Sequence, residues 1–322
     1  GPRRARSPTP PPPPFSQKVG CGGSFSARED GPADIVDVDV RGWVEEASAN
    51  PTLYRDRQVT EILLAAIGLS QNLKDVLVLK GGTLMALAFA SDRVTSDVDF
   101  TATEGPDTFP RQLVDELNRR LPRAAIELGY LDVIAQVQSV RMKPRPQDFA
   151  GHDFPAMRVR IGSARRGTPE EKRLADGQAS RVLNVDISFK DQVYSYQELR
   201  LAEAGVAVRA FSLHELIAEK FRALLQQPGR DRFRRQDVYD IALLAKQGDL
   251  TDEDRATIHA ILVEKCQTRG IVAAADSIDD PEVRRRAEAD WATLGIELAA
   301  LPAFDERFAV VRRLYHALPW SA

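Results

Sequence analysis

Runs of apolar and polar positions divide the chain into recognisable elements. Val76-Leu77-Val78-Leu79 is a short continuous apolar run that predicts a buried strand, and Gly81-Gly82 break it where a tight turn is needed. Thr83 then opens a helix. After a loop over 90–95, Asp97-Val98-Asp99-Phe100 alternates polar and apolar, so both aspartates project from one side of a strand. Alternation near 131–140, 156–162 and 182–189 predicts further strands. In the last, Leu183, Val185, Ile187 and Phe189 take one face and Asn184, Asp186 and Ser188 the other. Asn50-Pro51 is an N-cap followed by a first-turn proline, and Leu53, Ile62, Leu63, Ala66 and Ile67 continue that helix to about Ser70, beside the strand before the glycines. Leu113, Leu117 and Leu121 mark a helix over 107–121. From about 211 the pattern turns to nearly continuous helix, at 212–226, 236–247, 252–268, 281–297 and 304–317. The order predicts an α+β protein: a mixed-sheet core over 36–210 and a C-terminal helical bundle over 211–322 that closes on it.

Composition adds bounds. The chain has 322 residues, long enough for one large core or two moderate ones, and its 43% hydrophobic content is that of an ordinary globular protein. A net charge of -3 excludes a uniformly basic nucleic-acid binder, so any polynucleotide contact needs a local patch. Arg230, Arg232, Arg234 and Arg235 crowd one loop, and Arg158, Arg160, Arg165 and Arg166 line a second region; each group is either such a patch or solvated surface. Residues 1–35, with prolines at 10–14, are expected to form a flexible tail. Cys21 and Cys266 support neither a disulfide framework nor a cysteine metal site. With no stretch of transmembrane length and no signal-peptide core, a cytoplasmic protein is the simplest expectation.

The candidate chemistry gathers at the first turn. Gly81 and Gly82 let backbone N–H groups approach a phosphate, and the helix behind them favours an anion. Carboxylates spaced as Asp97 and Asp99 suit a hard divalent cation. Either feature alone is usually just a turn or a solvated strand end; the order strand, Gly-Gly-Thr, helix, Asp-x-Asp strand is far more specific. Asp186 is a third carboxylate, on a strand that could lie beside the first pair, as two-metal phosphoryl transfer requires. Ser212 and Glu215 form a capping box that fixes the start of a helix. Lys220 lies within that helix's apolar stripe, either snorkelling to solvent or aimed at an anion in a cleft. Asp237 also sits on an apolar stripe and needs a partner, which Lys220, Arg222, Arg234 or Arg235 could supply; an inter-helix ion pair and a catalytic role are both open. His214 reads as a surface or capping-turn residue.

Two separated blocks carry a resemblance. Gly81-Gly82-Thr83, then Arg93, Thr95, Ser96, Asp97 and Asp99, resemble the Gly-Gly-Thr...Arg-x-Ser-x-Asp-x-Asp signature of the AbiEii/AbiGii-type nucleotidyltransferase toxins, with Thr95 in place of the usual serine. His214 to Leu224 followed by Arg234 to Ile241 resembles a second block of that family, with Gln236 where an arginine is usual. The resemblance spans about residues 50–250 and is similar to the mycobacterial MenT group. It implies a nucleotidyltransferase fold and a toxin of a bacterial toxin-antitoxin system. It also implies magnesium-dependent transfer of a nucleotide from a nucleoside triphosphate to the 3′ end of tRNA, blocking aminoacylation and translation. Carried onto this chain, Asp97, Asp99 and Asp186 would hold metal. Gly81, Gly82, Thr83, Arg93, Thr95 and Ser96 would form the nucleotide site, Lys220 would neutralise the triphosphate, and Asp237 would be essential. The implied partners are tRNA, met through the arginine-rich loop, and a cognate antitoxin, with no membrane.

Overall fold

The computed structural model describes residues 34–107, 109–145 and 147–320. Most of the expected tail, with Cys21, lies outside these residues, and Ile35 already opens a strand. The first half runs β1 (Ile35–Val38), α1 (Val40–Glu45), α2 (Pro51–Gly68), α3 (Gln71–Val76), β2 (Leu77–Lys80), α4 (Gly81–Ala88) and β3 (Asp97–Ala102). It continues with α5 (Phe109–Glu127), β4 (Val133–Lys143), β5 (Ala156–Arg165), α6 (Pro169–Ala175), β6 (Arg181–Ser188), β7 (Tyr196–Leu201) and β8 (Val206–Phe211). The strands form one sheet in the order β1-β7-β8-β2-β3-β6-β5-β4. It is mixed: β2 runs parallel to β8 and antiparallel to β3, while β3 runs parallel to β6.

The helix α2 starts where Asn50 accepts from the backbone N–H groups of Thr52 and Leu53, both at 3.2 Å, with Pro51 at the first position. Its residues Val59 to Ile67 are buried all round, because it packs on α5 and across β6 and β8, the strands that flank β2 and β3. Burial on both faces explains the apolar run in β2, which lies inside the sheet between β8 and β3: a strand covered on both faces does not alternate. The hairpin of β7 and β8, with Gly205 at φ 63° in its turn, carries no pattern strong enough to predict it.

The second half is helical, with α7 (Leu213–Leu225), α8 (Gln227–Arg230), α9 (Arg235–Leu244), α10 (Asp252–Gln267), α11 (Pro281–Glu288) and α12 (Phe304–His316). Leu216, Ile217, Phe221 and Leu224 of α7 are all buried, each worth roughly 1.5–3 kcal/mol by removal from water. They seat α7 among α9, α10 and β8, so the helical half shares its core with the sheet.

Two expectations change. The helix expected over 281–297 ends at Glu288, because Asp290 turns left-handed at φ 58° and a short 3-10 helix, Trp291–Ile296, follows. The capping box of α7 is half formed. Ser212 accepts from the N–H of Glu215 at 3.1 Å, but the Glu215 carboxylate accepts from the N–H groups of Tyr194 and Ser195 and pairs with Lys265 at 2.7 Å. A fully buried carboxylate takes the buried ammonium in preference to a cap donor. Thr251 and Asp254 form the reciprocal box at α10 instead.

Candidate active site

The site is built on the β2-turn-α4-β3 unit. Register pairs Lys80 with Asp99, Asp97 with Asn184 and Asp99 with Asp186, so three carboxylates and an ammonium meet across three adjacent strands. Gly81 has φ 71°, and a Cβ there would stand 2.2 Å from Oδ2 of Asp99; only glycine lets the turn pass that carboxylate. A Cβ on Gly82 would meet Oγ1 of Thr95 at 2.8 Å. Thr83 and Thr95 donate their hydroxyls to the carbonyl oxygen of Asp97, at 3.2 and 3.3 Å, and so tie α4 and the preceding loop to β3. Ser96 and Asn184 donate to Oδ1 of Asp97, at 3.4 and 3.2 Å.

Asp99 is held above the ordinary carboxylate pKa: burial raises it most, Lys80 pulls it down, and Asp186 and Asp97 push it up again. Asp186 is otherwise engaged. Arg158 donates to both its oxygens, at 2.7 and 2.5 Å, and lies 4.0 Å from Oδ2 of Asp97. That fork raises the arginine pKa, chiefly through the hydrogen bonds to Asp186. Among the described residues, no group of three or more His, Cys, Asp or Glu is arranged to hold a metal. Asp97 and Asp99 fit a divalent cation as a pair, since their mutual repulsion is what such an ion relieves. Asp186 belongs to the same set only where Arg158 lets go.

The helical half supplies the opposite wall. Lys220 is buried and donates to Oδ2 of Asp240 at 2.6 Å and Oδ1 of Asp237 at 3.1 Å. It therefore does not snorkel. Burial works against its charge, but Asp240 and Asp237 outweigh that and hold the pKa above the ordinary lysine value. Asp237 finds the expected partner, with Arg234 at 3.9 Å beside it. Arg93 spends its guanidinium on Asp240, at 3.3 Å, and Glu297, at 2.8 Å, so it ties the loop before β3 to the C-terminal half.

Gly81, Asp99, Lys220, Arg234 and Asp237 line both of two adjoining clefts, of about 390 and 640 Å³. The larger also takes in Gly82, Arg93, Thr95, Ser96 and Asp97, so the expected site residues converge apart from Thr83, turned inward, and Asp186, behind Arg158. Arg230, Arg232 and Arg234 line the smaller cleft. The second arginine group is not one patch. Strand alternation puts Arg158 and Arg160 with Asp186 and Asn184, and Arg165 on the other face. Lys80, Asp191 and Asp240 are additional site residues. Lys80 donates to Ser188 at 2.7 Å and lies 3.6 Å from Asp191. Asp240 lies one helical turn before Leu244, so the stripe that singles out Asp237 contains it too. His214 has a partner, Asp254 at 2.8 Å from its Nε2. Among the described residues, no helix is long and apolar enough to cross a membrane.

The family model described as "Nucleotidyl transferase AbiEii toxin, Type IV TA system" matches residues 62–310. Among curated proteins, none matches. A Helicobacter pylori protein described as a nucleotidyltransferase is similar at 13% identity, over 84% of this chain and 95% of that one, with a TM-score of 0.48. The MenT4 nucleotidyltransferase toxin of Mycobacterium tuberculosis is similar at 17% identity, over 86% and 89%, with a TM-score of 0.49.

Proposed function

Because this chain belongs to the AbiEii family of nucleotidyltransferase toxins, whose type IV toxin-antitoxin systems imply an antitoxin partner, we propose that it adds a nucleotide to the 3′ end of tRNA and so blocks aminoacylation. The 3′-hydroxyl attacks the α-phosphate of a bound nucleoside triphosphate in line. A new oxygen–phosphorus bond forms as the hydroxyl gives up its proton to solvent, the bond to the bridging oxygen breaks, and pyrophosphate leaves.

One observation carries the reading: Asp99, Lys220 and the glycine turn, far apart in sequence, line one cleft between the sheet and the helical half. The backbone N–H groups at Gly81, Gly82 and Thr83, at the start of α4, receive phosphate oxygens. Lys220, kept charged by two aspartates, stabilises the oxygens of the leaving pyrophosphate, and Asp237 and Asp240 hold its ammonium in place. Thr95, Ser96 and Asn184 orient Asp97, and Arg93 acts as a positioning residue through Asp240. Asp97 and Asp99 would hold magnesium, joined by Asp186 on release of Arg158; the ion supplies charge stabilisation at the attacking and leaving oxygens. Arg230, Arg232 and Arg234 steer the RNA backbone, a contact that weakens steeply with salt.

The test incubates the purified chain with magnesium, total tRNA and each labelled ribonucleoside triphosphate in turn. Label at the 3′ end, absent when that end is blocked, is expected. Label on no RNA under any triphosphate removes the tRNA assignment and points to a protein or small-molecule acceptor.

A further inference from the structure

A third cleft, of about 440 Å³, opens where the start of α2 meets the end of β5 and the start of β6. It lies on the other face of the sheet from the aspartates. Ser163 pairs with Arg181, and these two share the alternation of the buried Ile161 and Leu183, whereas Arg158 and Asp186 share the opposite one. Its lining brings Arg55, Arg165 and Arg181 together against one acid, Glu170, with Tyr54 and Ser163 between them.

Arg55 is 7% exposed, and its Nη1 has no hydrogen-bond partner. A guanidinium removed from water without an acceptor is strongly disfavoured. Burial, and then the charges of Arg165 and Arg181, lower its pKa, while Asp132 and Glu170 offset only part of this. Asp132 is engaged by Arg165 at 3.6 Å in a solvent-exposed pair that yields easily. Three like charges converging on a void, one of them desolvated, form an arrangement that an anion relieves. No step of nucleotide transfer uses these residues.

We propose that this cleft binds a terminal phosphoryl group, with Arg55 at its floor and Arg165 and Arg181 at its rim. The planar fork of arginine matches two phosphate oxygens at once. A recess whose principal donor is buried suits a terminal phosphate, because the diester backbone of an RNA runs along a surface and does not reach such a floor. Two sources carry that group: a free small molecule such as pyrophosphate or a nucleoside triphosphate, and the 5′-phosphate of an RNA.

Calorimetric titration of the full chain with inorganic pyrophosphate in EDTA tests this, with parallel arms of a nucleoside triphosphate and of one RNA oligonucleotide with and without its 5′-phosphate. Arg55→Met and Arg181→Gln should each weaken one binding event at least about tenfold. Arg234→Gln, in the clefts on the opposite face of the sheet, should leave it intact. Since Arg55→Met removes an unpaired buried cation, the ligand-free variant should melt no lower than the wild type; Arg181→Gln, at the rim, tests the site independently of that. Tighter binding of the 5′-phosphorylated RNA than of pyrophosphate assigns the RNA source, and the reverse assigns the free molecule. An event retained in both arginine variants, lost only in Arg234→Gln, or absent from the wild type overturns the proposal.

Discussion

At Asp99 the side chain works against the fold that holds it. Burial, Asp186 and Asp97 together outweigh Lys80 and raise its pKa above the ordinary 3.8. An acid whose folded-state pKa exceeds its unfolded one weakens the fold as pH rises past the unfolded value, and below that value the penalty is absent. Asp99→Asn should therefore abolish transfer yet stabilise the metal-free protein at neutral pH by about 1 kcal/mol, with the gain vanishing in acid. Thermal denaturation across pH in EDTA reads this, and equal stability at neutral pH would refute the penalty from burial and neighbouring charge. On the proposed function, a divalent cation held by Asp97 and Asp99 would relieve that penalty. Lys220 behaves oppositely: its pKa is raised, so its stabilising contribution is complete through the neutral range and is lost only as pH climbs beyond 10.5.

Among the elements, the turn between β2 and α4 sets the geometry. Its left-handed Gly81 brings the start of the helix against Asp99 itself. Gly81→Ala places a methyl in the carboxylate and asks alanine for a positive φ, a strain of roughly 1–3 kcal/mol. Lost transfer with an unchanged far-UV circular dichroism spectrum and a lowered denaturation midpoint is expected; full activity would mean the turn tolerates a Cβ. Glycine pairs are easy to see in sequence. The reason for this one is not, because its obstacle lies 18 positions away across the β2–β3 pairing.

For the whole molecule, a charged tie joins the sheet to the helical half beside the apolar core they share. Arg93 reaches Asp240 and Glu297, the N–H of Val94 donates to the carbonyl of Glu297 at 2.9 Å, and Tyr239 bonds Asp92. Asp240 is wholly buried, so removing one of its two cations leaves part of its charge uncompensated. Arg93→Ala should cost about 3 kcal/mol, the low end for a broken buried pair because Lys220 remains. It should also speed hydrogen exchange at Val94 without exposing the sheet. Unchanged stability would show that Lys220 alone satisfies Asp240.

The sequence by itself determined most of the elements, β1, the β7–β8 hairpin and the end of α11 apart, and the residue types that line the clefts. Period-two alternation placed Asp97 and Asp99 on one face, the half-formed box at Ser212 still marked the start of α7, and the stripe position of Asp237 required it to find a partner, while that of Lys220 left snorkelling and a cleft-facing ammonium both open. Local spacing carries such information because it follows from backbone geometry alone. Tertiary structure decided what each group faces. It set Arg158 against Asp186, gave Asp240 two cations, split the second arginine group between two faces of the sheet and left Nη1 of Arg55 without an acceptor. Those outcomes depend on strand register and on packing between segments far apart in the chain, and no periodicity within one segment records them.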